Sequence, residues 1–265
     1  MPKEGWHVLH LFYRIDYAQW ASFSTQERGV AHANFTRFIQ EIRSTPNSQL
    51  LTFSMVGTKA DLGFMFTSPD LHTVDMVTKQ LTNLLGPEVL IPTFSWLSLT
   101  ELSEYTTNEA EYILSLKEKE NLDPNSPEFD LKLTAFRTRM EKYNKDRLYP
   151  SLADWPVFCF YPMSKRRNLG QNWYSLDFET RKKLMEGHAR VGRTYAGRIR
   201  QLITGSTGLD DGEWGVTLFA HTTSDIKAIV YEMRFDSVSA EYAEFGDFYI
   251  GIQLPLKALL ERLGL

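Results

Sequence analysis

Cysteine is nearly absent from this sequence, which contains a single one at position 159. One cysteine cannot form an internal disulfide, and it cannot supply the several thiolates of a structural zinc or iron–sulfur site. Its place in the apolar run VFCF predicts a buried and unreactive thiol. Disulfide-stapled folds and multi-cysteine metal sites are therefore excluded.

Long apolar runs are also absent, and none approaches the roughly 20 residues that a membrane-spanning helix needs. The amino end, MPKEGWHVLH, lacks the apolar core of a secretory signal. We therefore expect a cytoplasmic protein with no membrane span and no nucleic-acid partner.

The chain has 265 residues, of which 43 % are hydrophobic and 13 % aromatic, and this content is ample for one large or two smaller packed units.

The first hundred residues alternate between strand and helix patterns. The predicted strands cover residues 6–15, 49–56, 62–66 and 88–99. Ser24 and Glu27 form a capping box that opens a first helix, and Ser68 is predicted to cap a second helix with Pro69 in its first turn. The resulting order, βαββαβ, is the split unit in which two helices cover one face of an antiparallel sheet.

Residues 101–130 break this pattern, because they contain nine acidic residues and only two lysines. The segment Asp123–Pro127 is typical of a turn between two helical stretches, the second of which begins at Glu128. We interpret this part of the chain as a solvated helical connector. The predicted division is a first unit 1–100, the connector 101–150 and a second unit 151–265.

The same order of elements recurs after the connector. The predicted strands cover 156–163, 197–204, 212–220 and 245–252, and the predicted helices cover 177–194 and 223–235. Two copies of the βαββαβ unit imply a duplication, and two such sheets can pack face to face as an α+β barrel. A last helix over 256–263 is predicted to add a lid.

The stretch from Tyr161 to Gln201 carries most of the polar chemistry. Ten of the 29 lysines and arginines lie between Lys165 and Arg200, in a chain of net charge −4. This local excess of cations predicts an anionic ligand. A phenol at Tyr161, a histidine at position 188 and an amide at Gln201 in the same stretch indicate a cofactor site.

His188 is the candidate metal ligand, on a helix face opened by Gly187 and Gly192. Taken alone, such a histidine is more often a core or surface residue, because one histidine makes neither a zinc site nor a facial triad. A heme iron differs, because the porphyrin supplies four ligands and a single protein nitrogen suffices. The other histidines have no such groove and are interpreted as structural or exposed: His7, His10, His32, His72 and His221.

Two further motifs have ordinary alternatives. Tyr161 could be an aromatic residue at a strand end whose hydroxyl reaches water. The basic run at 165–167 could be a solvated turn, although its place before the helix of His188 favours binding of carboxylates at the edge of a cofactor. The glycine-rich segment 204–212 lacks the Lys-Ser/Thr of a phosphate-binding loop, so we predict a long hairpin turn.

Three segments carry a resemblance to a known family. They are YPMSKRR at 161–167 with the following Trp173, GHARVGRTYAGRIRQLITGSTGLDDGEWGVTLFA at 187–220, and RFDSVSAEYAEFGDFYIG at 234–251. Together they resemble the chlorite dismutase family, and specifically its coproheme decarboxylase branch. The resemblance is dense in the second half, whereas the first half agrees mainly in the order of its elements. It implies tandem ferredoxin-like βαββαβ units forming a dimeric α+β barrel-type subunit, usually in a homopentamer, with the porphyrin in the second unit.

Carried over by position, the resemblance implies that His188 is the proximal iron ligand, Tyr161 the redox-active tyrosine and Gln201 the distal residue. The other matched positions surround the porphyrin: Arg147, Lys165 and Ser239 for propionates, the backbone of Tyr161, Pro162, Met163, Ser164 and Lys165, Trp173 as a neighbouring aromatic residue, and Arg234 as a further carboxylate contact.

The implied substrate is Fe-coproporphyrin III (coproheme), the implied oxidant is hydrogen peroxide and the implied product is heme b. In that reaction a phenoxyl radical at Tyr161 takes hydrogen from a propionate, which loses carbon dioxide and becomes a vinyl group. True chlorite dismutases place an arginine where this chain has Gln201, so the neutral amide favours the decarboxylase branch. A ferrochelatase-type partner is expected upstream.

Two alternatives stay open. A chlorite-decomposing heme enzyme is disfavoured by Gln201. A heme-binding or heme-transfer protein without turnover would keep His188 and the basic rim but would not need Tyr161. Release of carbon dioxide from added coproheme and peroxide separates the three functions.

Overall fold

The computed structural model describes residues 4–265. The first part of the chain forms β1 (Glu4–Ile15), α1 (Tyr17–Ser22), α2 (Thr25–Ser44), β2 (Gln49–Val56), β3 (Leu62–Ser68), α3 (Leu71–Asn83) and β4 (Leu90–Glu101). Two helices follow, α4 (Glu109–Glu118) and α5 (Pro127–Leu148). The last part forms β5 (Val157–Lys165), β6 (Arg167–Asn168), β7 (Gln171–Asn172), α6 (Phe178–Thr194), β8 (Ile199–Gly205), β9 (Trp214–Ala220), α7 (Thr223–Met233), α8 (Ser237–Tyr242), β10 (Ala243–Phe245), β11 (Tyr249–Gln253) and α9 (Leu256–Leu263). No helix within the described residues is both long and apolar enough to span a bilayer.

Hydrogen bonds join the strands of both halves into one closed barrel. The first half has the order β2-β3-β1-β4 and the second half the equivalent order β8-β9-β5-β11. Strand β4 pairs with β8 at Leu99 and Thr100, and β11 pairs with β2 from Ile250 to Gln253. The predicted α+β fold is confirmed, although the two sheets are joined edge to edge rather than only packed face to face. Closure leaves these eight strands without a free edge.

Side chains alternate along each strand between the barrel interior and its outer face. On β5, Phe158 and Phe160 point into the barrel, where they pack with aromatic residues of both halves. Cys159 and Tyr161 point outward into a second cluster that α7 covers. Cys159 is fully buried there, as its apolar neighbours in sequence predicted. Strand β5 therefore separates the interior core from the layer between the sheet and the helices.

His10 lies inside the barrel. Its Nε2 is 2.9 Å from the Thr217 hydroxyl oxygen, and its ring stacks on Phe160 with 4.0 Å between ring centroids. Burial in this apolar interior lowers the pKa of His10 to about 3. The imidazole is therefore neutral in the folded protein at ordinary pH.

Two local predictions were wrong. Ser68 does not cap α3, since it is the buried last residue of β3, and the carboxylate of Asp70 instead accepts hydrogen bonds from the amides of His72 and Thr73. The terminal helix α9 is not a lid, because its buried leucines pack into the core of the first half. The helix α1, the small β6–β7 hairpin, α8 and β10 were not predicted. The loop between β8 and β9 is the long hairpin turn expected for the glycine-rich segment.

We expect Leu259→Ala to destabilise the fold, since this α9 side chain is fully buried in the first-half core. Leu-to-Ala changes in cores cost about 2 to 5 kcal/mol of unfolding free energy. Lys257→Ala, at an exposed position on the same helix, is the control and should stay within about 0.5 kcal/mol of the parent. Urea unfolding measures both, and equal midpoints would show that α9 does not contribute to the core.

A second prediction concerns acid stability. Below pH 6.5 the unfolded chain binds a proton at His10, whereas the folded protein does not until about pH 3. The free energy of unfolding therefore decreases as the pH falls from 6.5 to about 3. Between pH 6.5 and 5 this loss amounts to about 2 kcal/mol. His10→Met should therefore lose less stability than the parent between pH 7 and pH 5 in urea unfolding. Equal losses in the two proteins would contradict it.

Candidate functional site

The candidate site lies where α6, α7 and α8 cover the outer face of the second-half sheet. His188 on α6 points toward α8, and its Nδ1 is 2.9 Å from Oδ2 of Asp236, the residue that caps α8. Burial lowers the pKa of His188, whereas the Asp236 carboxylate opposes this effect. Among residues 4–265 no group hydrogen-bonds to Nε2 of His188. A histidine held at one nitrogen by a carboxylate presents the other nitrogen, in a fixed orientation, to a metal.

Lys165 ends β5 and is a buried cation with only 6 % of its surface exposed. Its Nζ lies 4.5 Å from the centre of the Trp173 ring. Burial lowers its pKa to about 8, and the more distant carboxylates of Asp236 and Glu213 only partly offset this effect. Within the described residues no carboxylate forms an ion pair with Lys165. A buried, unpaired ammonium group is costly, so an anionic ligand would be favourable beside it.

Tyr161 lies two residues before Met163 on the outer face of β5, and its ring stacks on Phe248 with 4.5 Å between centroids. Burial raises the pKa of its hydroxyl, and the cation of Arg234 partly offsets this effect. Arg234 itself lies over the ring of Phe245, with its guanidinium carbon 4.4 Å from the ring centre. The phenol is thus held protonated in an apolar environment with one cation nearby.

Gln201 reaches toward α6 from β8. Its side-chain nitrogen lies 3.7 Å from the position that a Cβ of Gly192 would occupy. Gly192 lies one helical turn after His188 on α6. The Gln201 amide on the sheet and the His188 imidazole on the helix therefore face the same space between β8 and α6. The missing side chain at Gly192 leaves room in this space.

Arg147 lies farther along the sheet, near the end of α5, and its Nε donates to the backbone oxygen of Glu101 at 3.2 Å. Ser239 lies in α8 and donates its backbone amide to the Asp236 carboxylate at 3.3 Å. The side chains of Lys165, Trp173, His188 and Ser239 therefore form one connected group around Asp236. Tyr161 and Gln201 lie on the adjoining sheet face, and Arg147 contacts Glu101 at the end of β4.

Pro162 and Ser164 differ from their strand neighbours. The pleat of β5 directs both toward the barrel side, where the Ser164 hydroxyl lies 3.3 Å from the position of a Gly212 Cβ. Only their backbone atoms can take part in the outer face, and the backbone role of the segment stays a prediction. Met163 points outward with Tyr161 and packs against the second-half cluster.

Sequence reasoning missed three carboxylates that organise the site. Asp236 holds His188, Glu213 accepts the backbone amide of Lys165 at 2.7 Å, and Glu101 accepts a hydrogen bond from the indole of Trp214 at 3.3 Å. Asp236 begins the DSVS segment, whose pattern is typical of a helix cap, and this signal could have located it. Glu101 and Glu213 carry no comparable local signal, because their contacts join distant parts of the chain.

The closed barrel of two βαββαβ halves, with a carboxylate-held histidine over the second sheet, defines the class of protein. A family model for chlorite dismutase matches residues 28–254. This chain belongs to the chlorite dismutase family.

Solved structures agree with this assignment. A heme-binding protein from Thermus thermophilus is 36 % identical, with a TM-score of 0.82 over 100 % of this chain and 97 % of that one. A putative chlorite dismutase is 18 % identical, with a TM-score of 0.69 over 98 % of this chain and 100 % of that one. Chlorite dismutase from Candidatus Nitrospira defluvii, in complex with imidazole, is 16 % identical, with a TM-score of 0.72 over 99 % and 97 %. The last two show similarity of fold alone.

Asp236→Asn tests the link between the carboxylate and His188. Asparagine can still cap α8 but carries no charge, so we expect the pKa of His188 to fall below that of the parent. Titration of the histidine ring protons by NMR measures this shift. Asp225→Asn is the control, because it alters the ion pair between Asp225 on α7 and Arg198 and should leave the pKa of His188 unchanged. An unchanged or raised pKa in Asp236→Asn would show that the contact does not act on the imidazole.

Proposed function

We propose that this protein binds a heme-type iron porphyrin between α6 and the outer face of the second-half sheet, where Nε2 of His188 would hold the iron. The observation that carries the proposal is the pairing of a carboxylate-held histidine with the buried, unpaired cation of Lys165. A porphyrin would give each of these groups a partner, since its iron needs one protein nitrogen and its propionates need cations. Its flat face fits a layer widened by Gly192.

We propose coproheme as the porphyrin. It carries four propionates, whereas heme b carries two, so its rim requires cations and hydroxyl groups on several sides. Each of these groups has a different contact: Lys165 lies over Trp173, Arg147 bonds to Glu101, Arg234 lies over Phe245, and Ser239 bonds to Asp236. Charge-assisted hydrogen bonds from such groups contribute more than neutral ones. This distribution supports a ligand that is anionic around its edge.

We propose that the reaction is the peroxide-dependent oxidative decarboxylation of two propionates to vinyl groups, which yields heme b. The bound iron porphyrin supplies the oxidising chemistry, because it accepts the oxidising equivalents of hydrogen peroxide. Tyr161 supplies the radical relay: its phenol loses an electron and a proton, and the resulting phenoxyl radical abstracts hydrogen from the β-carbon of a propionate. Each hydrogen peroxide supplies two oxidising equivalents, so the second removes the electron left on that carbon as carbon dioxide leaves and the vinyl group forms. A raised phenol pKa keeps the proton in place until oxidation.

Gln201 supports this reaction over chlorite decomposition. Its neutral amide, facing α6, can hydrogen-bond a peroxide molecule but offers no fixed positive charge to a reactive oxyanion. Arg200, its neighbour in sequence, is exposed and alternates to the opposite side of β8. The amide therefore favours the decarboxylase branch of the family.

The setting that we propose follows the family resemblance. The protein would act in the cytoplasm as a homopentamer, receiving coproheme from a ferrochelatase-type partner. A heme carrier without turnover is the alternative from another functional class. It would need the residues around Asp236 but not the phenol of Tyr161.

Tyr161→Phe separates the enzyme from the carrier. Phenylalanine keeps the ring that stacks on Phe248 but removes the oxygen, so coproheme affinity should weaken by at most about 0.5 to 1.5 kcal/mol, the value of one hydrogen bond. Decarboxylation should almost cease, because phenylalanine cannot form the phenoxyl radical that takes hydrogen from the propionate. The variant is mixed with ferric coproporphyrin III and peroxide, and the porphyrin is followed by mass spectrometry.

Tyr17→Phe is the matched control, since this tyrosine is exposed on α1 in the first half. It should convert coproheme to heme b at the parental rate. Production of heme b by Tyr161→Phe at that same rate would refute the hydrogen-abstraction role. Binding of coproheme by the parent without any release of carbon dioxide would favour the carrier, and rapid oxygen evolution from chlorite would favour a chlorite dismutase.

A further inference from the structure

A row of four residues crosses the outer face of the barrel beside Tyr161. Leu99 on β4 pairs with Gly205 on β8, Gly205 pairs with Trp214 on β9, and Trp214 pairs with Met163 on β5. Val216, two residues after Trp214, pairs with Tyr161. Trp214 and Tyr161 are therefore diagonal neighbours on adjacent strands, with Cβ atoms about 7 to 8 Å apart, within reach of aromatic rings.

Glu101 reaches Trp214 across the gap that Gly205 leaves. The indole Nε1 of Trp214 donates to Oε1 of Glu101 at 3.3 Å. A Cβ on Gly205 would lie 2.4 Å from Oε2 of the same carboxylate, so any side chain there would displace it. The absence of a side chain on the middle strand thus permits a contact between the two flanking strands.

The environment of this carboxylate favours acceptance of a proton. Burial raises the pKa of Glu101, while its contact with Trp214 and the charge of Arg147 oppose this effect. A carboxylate with a raised pKa is a better base once it is ionised. An indole that donates its N–H to such a base can lose an electron and that proton together, which avoids forming a charged radical in a buried site.

The other tryptophans beside the site lack this arrangement. The ring of Trp173 lies beneath the ammonium group of Lys165 at 4.5 Å, and this positive charge opposes removal of an electron. The Nε1 of Trp96 is buried inside the barrel and has no hydrogen-bond partner among residues 4–265. Trp214 is therefore the tryptophan that the site makes easiest to oxidise.

We propose that Trp214 and Glu101 form a second redox-active pair. Trp214 reduces the Tyr161 radical when no propionate is positioned to react with it. The inference rests on the proposed function, in which hydrogen peroxide supplies the oxidising equivalents. It assigns Trp214 as an oxidisable residue and Glu101 as its proton acceptor.

The transfer conserves electrons and protons. One electron passes from the indole of Trp214 to the phenoxyl radical of Tyr161, and the Nε1 proton of Trp214 moves to Oε1 of Glu101. The proton that the phenol released to solvent on oxidation returns to the reduced Tyr161. Trp214 is left as a neutral radical. The second oxidising equivalent of the same hydrogen peroxide removes one more electron from it, and water then adds to the indole ring with loss of a proton, which gives hydroxytryptophan.

The test uses the full-length protein loaded with heme b, which lacks the two propionates that coproheme would lose. After addition of hydrogen peroxide, rapid-freeze EPR detects the radicals, and peptide mass spectrometry locates the oxygenated tryptophans. We expect oxygen on Trp214 in preference to Trp173 and Trp96. Trp214→Phe should lose the tryptophanyl signal, and its tyrosyl signal should persist longer than in the parent.

Two variants test the role of the carboxylate. Glu101→Gln keeps the size of the side chain but weakens the base, and we expect oxygenation of Trp214 to fall by about tenfold or more. Gly205→Ala leaves Glu101 and Trp214 intact but separates them, and it should give the same loss. Gly29→Ala is the matched control at a glycine with no neighbouring atoms, and it should match the parent.

The outcomes distinguish this inference from the proposed function. Absence of a heme absorption band would overturn the proposed function and this inference with it. Heme binding followed by oxidation of Trp173 or Trp96 alone would overturn only the assignment of Trp214 and Glu101 as a redox-active pair. Equal oxidation of Trp214 in the parent, Glu101→Gln and Gly205→Ala, with unchanged heme spectra and circular dichroism, would likewise refute the part assigned to Glu101.

Discussion

The pairing of β5 on both of its edges is the constraint on which the rest of the structure depends. This strand bonds to β9 along one edge and to β11 and β10 along the other. Because its neighbours fix its register, its pleat fixes which residues enter the barrel and which face the helices. A shift of one residue would put Tyr161 and Lys165 into the interior and Phe160 under α7. The functional layer is therefore a consequence of backbone pairing.

Asp236 joins the separate parts of that layer. It caps α8, bonds to His188, and lies close enough to Lys165 to oppose the fall in the pKa of that ammonium group. One carboxylate thus orients an imidazole and partly neutralises a buried cation. The Asp236 carboxylate bonds to His188 and not to Lys165, so the ammonium group has no direct anionic partner within residues 4–265. An anionic ligand would complete this balance without any change in the backbone.

The order of strands and helices could be predicted from the sequence because it follows from local periodicity, as in the alternation of β1 and the capping box of α2. Local signals also gave a wrong prediction for the start of α3. Ser68 and Asp70 are both residue types that cap helices, and which of them caps α3 depends on where β3 ends. The site residues in the second half could be named from the family resemblance. Their partners could not, because Glu101 and Trp214 are separated by 113 positions and meet only when β4 pairs with β8.

The position of α9 has a consequence for how the chain folds during synthesis. Leu259, Leu260 and Leu263 complete the core of the first half, and β11 supplies a neighbour for β2. The ribosome releases these residues well after the whole first half, so that half leaves the ribosome while part of its core is still missing. Long-range closure of this kind slows folding and prolongs the exposure of apolar surface. The first half of this protein therefore completes its core only after α9 has been synthesised, which is later than its repeated architecture implies.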